Sequence, residues 1–195
     1  MNRTWNFEKG AWQAEDFLSA ASSRVEYRLT FGQKDDCIHN EGADKMDEYA
    51  YVSMVHRTPV SLPCLLETEC SFRTYGAPLL ILADAVETLP DGRLQYGHHI
   101  EVVGWEKGIN VWDLTPDPEA PNGQRTVNLG RFSFPIEDGA RFLLTARADR
   151  QGLVVGAEVN GRSAQFDCPC VLPEKCYVGI TACEGENYFY RFSIR

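Results

Sequence analysis

Apolar and polar residues alternate along most of this chain, and turn-forming residues interrupt the alternation at short intervals. In "RVEYRLTF" (24–31), Val25, Tyr27, Leu29 and Phe31 fall on one face, and Arg24, Glu26, Arg28 and Thr30 on the other. A period of two marks a half-exposed strand, because successive strand side chains point to opposite faces. Short strands also follow in "EYAYVSMVH" (48–56), "TVNLGRFSF" (126–134), "ARFLLTARAD" (140–149), "GLVVGAEVNG" (152–161), "RSAQFD" (162–167), "CYVGITAC" (176–183) and "NYFYRFSIR" (187–195). "APLLILADAV" (77–86) is almost continuously apolar, which predicts a central strand buried on both faces. Prolines break "TPVSLPCLLETECSFRTYG" (58–76) before a new strand begins. Pro90-Asp91-Gly92 and Asn160-Gly161 are turn sequences, and Asn-Gly is the stronger hairpin signal. "LTPDPEAPNGQRT" (114–126) reads as an exposed loop, and so does the polar region around "DKMDEYA" (44–50). Helical spacing is confined to "AWQAEDFLSAASS" (11–23), enough for a turn or two. About ten to twelve strands, with turns roughly every eight to twelve residues, predict an all-β sandwich or barrel. The 195 residues suit one such domain spanning 1–195, with no internal repeat and no linker.

Composition narrows the partners. With 28 acidic and 19 basic residues the net charge is −9, which argues against nucleic acid and anionic membranes. Neutral or cationic ligands, sugars in particular, remain. "MNRTWNFEKGAW" has no apolar leader segment, and no run is long enough to span a bilayer. The cysteines number seven, an odd count at irregular spacing, which reads as free thiols in a reducing cytoplasm rather than a disulfide framework. Cys168-Pro169-Cys170 lacks the usual Cys-x2-Cys spacing of structural zinc, so no metal is assigned. No Gly-rich phosphate loop, Gly-x-Ser-x-Gly elbow or His-Glu-x-x-His motif is present, and no cofactor is expected.

The chemistry concentrates in "YGHHIEVVGWEKGINVWDL" (96–114), a hairpin with two histidines and two tryptophans. A three-residue turn, Glu106-Lys107-Gly108, fits a type I turn with a bulge at the glycine. That register sets Trp105 against Ile109, Val103 against Val111, Glu101 against Asp113 and His99 against Thr115. The other face then carries His98, Ile100, Val102 and Gly104 with Asn110, Trp112 and Leu114, and serves as the core side. Trp105 with Glu101, Asp113 and His99 would form a polar-aromatic face suited to sugar: a ring for stacking, carboxylates for hydroxyls. A tryptophan beside a turn also serves simply to cover its cross-strand neighbour. Adjacent His98 and His99 point to opposite faces and cannot chelate one metal together.

Together with "VNLGRFSFPIEDGARFLLTARADRQGLVVGAEVNG" and "YVGITACEGENYFYRFSI", this stretch resembles the concanavalin A-like lectin/glucanase superfamily. It is similar to bacterial jelly-roll domains of the glycosyl hydrolase or 3-keto-disaccharide hydrolase type, and more distantly to laminin-G-like modules. The likeness covers about residues 70–195 and is weaker over 1–69. It implies a jelly-roll β-sandwich of two antiparallel sheets, with ligand on the concave face or its rim. Laminarinases and lichenases of the superfamily carry Glu-x-Asp-x-Glu or Glu-x-Asp-x-x-Glu on a strand. Here the matching stretch keeps Glu101 and Glu106 but has Val103 in the central position. Glu101 with Asp113, facing across strands, is the alternative carboxylate pair for a retaining hydrolase.

Three further features stand out. Asp84 ends the apolar run and is placed either at the cleft rim or in a turn. "CEGEN" (183–187) reads as a solvated turn, since no Asp-x-Asp-x-Asp pattern supports a cation there. Tyr188, Tyr190, Phe192 and Ile194 share one strand face and read as core. The expected function is carbohydrate recognition by Trp105, Glu101, Asp113 and His99, with Asp84 at the rim. A glycosidase using Glu101 with Asp113 or Glu106 is one alternative. A structural or oligomerising sandwich is the other, with the oligomeric state left open.

Overall fold

A computed structural model describes residues 2–23, 30–40 and 51–195. Most of the strand expected at 24–31, and the loop expected at 44–50, lie outside the described residues. The first strands are β1 (Arg3–Asn6), β2 (Phe17–Ser19), β3 (Gly32–Gln33), β4 (Ile38–His39), β5 (Val52–His56) and β6 (Val60–Ser61). Then come β7 (Cys64–Arg73), β8 (Ala77–Ala83), β9 (Val86–Thr88), β10 (Leu94–Tyr96), β11 (His99–Trp105) and β12 (Gly108–Pro116). The chain closes with β13 (Gln124–Ser133), β14 (Phe142–Asp149), β15 (Gly152–Val159), β16 (Arg162–Pro169), β17 (Lys175–Cys183) and β18 (Glu186–Ile194). The excess over the expected number is made of pieces of two to four residues. In 11–23 the helical spacing yields only a 3₁₀ turn, Ala14–Asp16, before β2 pairs with β5. The expected loop at 114–126 shortens to 117–123, because β12 and β13 extend into it.

These strands build two antiparallel sheets. The first runs β16-β15-β14-β7-β18-β4-β3, with β1 also on β18. The second runs β13-β12-β11-β8-β17-β5-β2, with β6 also on β17. The core lies between them. Leu66, Phe72, Phe142, Leu144, Val155, Phe189 and Phe192 of the first sheet face Leu80, Leu82, Ile100, Val102, Ile109, Val111 and Ile180 of the second. The architecture is therefore the predicted jelly-roll sandwich. No disulfide joins any of the seven cysteines, and all but the half-buried Cys170 are buried.

β8 explains its own composition. Leu80 and Leu82 enter the core, while Leu79, Ile81 and Ala83 point to the outer face of the second sheet. Part of that outer face is itself covered. The β9–β10 ribbon brings the fully buried Tyr96 over Val55, Ile81 and Ala83. Its hydroxyl lies 2.5 Å from Ser53 Oγ, which lies 2.5 Å from Thr181 Oγ1. Every residue of β8 is consequently buried, and the strand reads as apolar throughout.

The reading of β18 as one core face needs correction. Its pairing with β7 shifts between Phe189 and Arg191, a bulge at Tyr190. The extra residue reverses the alternation. Phe189, Phe192 and Ile194 are buried in the core, whereas Tyr188 and Tyr190 are half-buried on the outer side of the first sheet.

Candidate functional site: an aromatic groove on the second sheet

The β11–β12 hairpin differs from expectation by one residue. Its connection is the pair Glu106-Lys107, and Gly108 already pairs with Trp105. Gly108 has φ +140°, and a Cβ there would lie 2.0 Å from the Phe132 carbonyl oxygen, so only glycine fits. The observed pairs are His99 with Leu114, Glu101 with Trp112 and Val103 with Asn110. A one-residue slip moves a whole set of side chains to the other face. Asn110, Trp112 and Leu114 therefore join Glu101, Val103 and Trp105 on the outer face. Asp113 goes with Ile100 to the inner side, where its Oδ1 lies 3.0 Å from His98 Nε2.

The uncovered part of the outer face is a groove of about 1150 Å³. Glu101, Val103, Asn110, Trp112 and Leu114 floor it, and Trp105 stands at the hairpin end. β13 adds Arg131, the cross-strand partner of Asn110. Arg131 Nε donates to Asn110 Oδ1 at 3.2 Å, and its guanidinium lies 5.9 Å from the Trp105 ring centre. Lys107 Nζ lies 5.3 Å from the same ring and 3.5 Å from Glu106 Oε1. Two cations thus approach the Trp105 ring.

Turns form the rim. Between β7 and β8, the Gly76 N–H donates to the Arg73 carbonyl at 3.0 Å. The two central residues, Thr74 (φ +53°) and Tyr75 (φ +63°), are both left-handed. This is a mirror-image turn normally made of Asn and Gly. The Thr74 N–H donates to Asp138 Oδ2 at 3.1 Å, and Tyr75 is 60% exposed beside the groove. "CEGEN" forms the neighbouring corner. Asn187 Nδ2 donates to the Glu184 carbonyl at 2.8 Å, and Asn40 Nδ2 donates to the Gly185 carbonyl at 2.9 Å. The amide of Asn187 therefore holds the turn. Among the described residues, no group of three or more His, Cys, Asp or Glu is arranged to hold a metal ion.

Glu101 sits where the covered and open parts of the face meet. It is 2% exposed, and a buried carboxylate needs hydrogen-bond donors to offset lost hydration. The Tyr51 hydroxyl donates to Glu101 Oε1 at 3.0 Å. His99 Nε2 lies 3.9 Å from the same oxygen. His99 Nδ1 is 2.8 Å from the Gly97 carbonyl, which can only accept a hydrogen bond, so Nδ1 carries the hydrogen. His99 is 1% exposed and packs against Tyr96, beneath the ribbon.

Of the residues expected at the site, Glu101, Trp105 and Glu106 line the groove. His99 supports Glu101 from below and is out of a ligand's reach. Asp113 faces the other side of the sheet. Asp84 is exposed beyond the end of β8 and is not among the groove residues. The proposed dyad of Glu101 and Asp113 therefore cannot form. Glu106 lies in the turn, five residues beyond Glu101, with roughly 16 Å of extended backbone between them. Retaining hydrolases hold their carboxyl groups about 5–5.5 Å apart and inverting ones about 6.5–9.5 Å apart. The sequence reading missed Trp112, Asn110, Arg131 and Tyr75. A two-residue turn in the register would have found the first two.

Two antiparallel sheets, one with an open groove on its outer face, define a concanavalin A-like β-sandwich. Solved structures of that class align with nearly the whole chain. The carbohydrate-binding module CBM66 from Bacillus subtilis matches with a TM-score of 0.59 and 10% identity, over 89% of this chain and 91% of its own. The lectin UEA-II complexed with galactose matches at 0.58 and 8%, over 100% and 97%. The exoplasmic/lumenal domain of VIP36, in its Ca²⁺/Man3GlcNAc-bound form, matches at 0.56 and 12%, over 92% and 82%. At such identities the likeness establishes the fold. No family model matches the chain. No curated protein matches it either.

Proposed function

We propose that the groove recognises carbohydrate. The observation that carries this reading is the pair Trp105 and Trp112, on one face of adjacent strands, among Glu101, Asn110 and Arg131. Indole faces stack on the C–H faces of sugar rings, and amide, carboxylate and guanidinium groups bond the hydroxyls. A volume of about 1150 Å³ exceeds the roughly 300–1,000 Å³ of ordinary small-molecule pockets, which suits an oligosaccharide. The likeness to a carbohydrate-binding module and a galactose-bound lectin supports the same reading.

Hydrolysis has less support, because neither carboxylate pair has the required spacing. Seven cysteines with no disulfide among them suit a reducing compartment such as the cytoplasm. The test is calorimetric titration with cello-, laminari-, manno- and chito-oligosaccharides. Binding by at least one series is expected, weakened about tenfold or more by Trp112→Ala, which corresponds to about 1.4 kcal/mol. Binding that Trp112→Ala and Trp105→Ala both leave unchanged would refute the assignment.

A further inference from the structure

The outer side of the first sheet carries a second, polar pocket of about 480 Å³. Its walls are the two tyrosines that the β18 bulge turns outward. Tyr188 donates to Glu186 Oε2 at 2.6 Å, and the Tyr190 hydroxyl lies 3.0 Å from Ser71 Oγ. Arg141 stacks 3.4 Å from the Tyr190 ring centre, and Lys34 Nζ lies 4.6 Å from that of Tyr188. These cations lie over the rings, so the pocket offers hydroxyl, ammonium and guanidinium groups rather than a stacking surface. Arg73 lines it, and no ion pair or hydrogen bond engages its guanidinium among the described residues.

The pocket shares its boundary with the groove. Thr74 and Tyr75, Asp138, and Glu184 line the groove, while Arg73, Gly139 and Glu186 line the pocket. The same three turns therefore serve both. At the first turn the lining passes from pocket to groove between Arg73 and Thr74, which are neighbours in sequence. Arg73, Thr74 and Tyr75 are all exposed there, and Tyr75, the aromatic one, is held in a left-handed conformation that a tyrosine side chain disfavours. Such local strain gathers where a ligand is clamped.

We propose that groove and pocket are two stretches of one track for an extended glycan chain, which passes over Tyr75 from one sheet to the other. The inference rests on carbohydrate recognition in the groove. A short oligosaccharide fills the groove alone; a longer one also reaches Arg73, Lys34 and Glu186. The second contact is then intramolecular and adds affinity without a new molecule.

The test uses the full chain and calorimetric titration with disaccharide to octasaccharide members of the same four series. Affinity is expected to keep rising beyond the tetrasaccharide, by roughly tenfold at the octasaccharide. The double variant Arg73→Ala/Lys34→Ala changes two exposed side chains and should bring the octasaccharide-to-tetrasaccharide affinity ratio to about one. A plateau at the tetrasaccharide, or a ratio unchanged in the double variant, overturns the continuous track and leaves the groove's own role standing. Absence of binding by every series overturns both.

Discussion

Replacing Tyr75 by glycine separates a binding role from a folding role. At φ +63° a residue with a Cβ pays roughly 1–2 kcal/mol that glycine does not. Glycine in turn loses about 0.4–1 kcal/mol through the greater freedom of its unfolded chain. Tyr75 is 60% exposed, so little apolar burial is lost with the ring. The balance for Tyr75→Gly lies between about zero and 1.5 kcal/mol in favour of the folded state. For a chain of this size, each kcal/mol moves Tm by about 2–4 °C. Thermal unfolding followed by circular dichroism should therefore show an unchanged or higher Tm. Calorimetry should show weaker binding of long oligosaccharides by the same variant. Stability and affinity moving in opposite directions is the mark of a strained residue kept for its ligand. A Tm lowered by several degrees would make Tyr75 a packing residue and refute the reasoning. So would a higher Tm with unaltered affinity for the long chains.

Other outcomes follow from the same geometry. Tyr51→Phe removes a donor from the buried Glu101 carboxylate and should cost about 1–3 kcal/mol in urea unfolding. Asp113→Asn should leave saccharide affinity unchanged, because Asp113 faces the inner side with His98. The Tyr188 phenol is raised to about 12, chiefly by donating to Glu186. Its neutral form is thus favoured in the folded state. The stability it contributes is complete below pH 10 and is lost as the pH rises from 10 toward 12. Phenolate absorbance should show one late-ionising tyrosine fewer in Tyr188→Phe than in the unsubstituted protein.

The two-residue period and the turn residues were enough to read the sandwich, and the apolar run 77–86 located its central strand. Those signals are local, and they survive into the fold because strand alternation is a backbone property. Register was less legible. Whether Gly108 closes a two- or a three-residue loop depends on the close approach of β13, at the Phe132 carbonyl, which no nearby residue reveals. One residue of error put Trp112 in the core and Asp113 in the groove. The bulge at Tyr190 is the same kind of event, set by pairing with β7 across more than a hundred residues of sequence. Thr74 and Tyr75 were illegible for another reason. Their intrinsic preferences oppose the turn they form, and it is held instead by Asp138 and by packing against Glu184–Glu186. Sequence reasoning of this kind fails most often at strained positions, and such positions gather at functional sites.

The claim that carbohydrate is bound in the groove is tested most directly by tryptophan fluorescence during saccharide titration. Of the four tryptophans, Trp105 and Trp112 line the groove, while Trp5 and Trp12 pack at the N-terminal side against Phe17. The account predicts a saturable change in emission with the bound saccharide, lost in the variant Trp105→Phe/Trp112→Phe. The same change persisting in that variant would place the sugar elsewhere and contradict it.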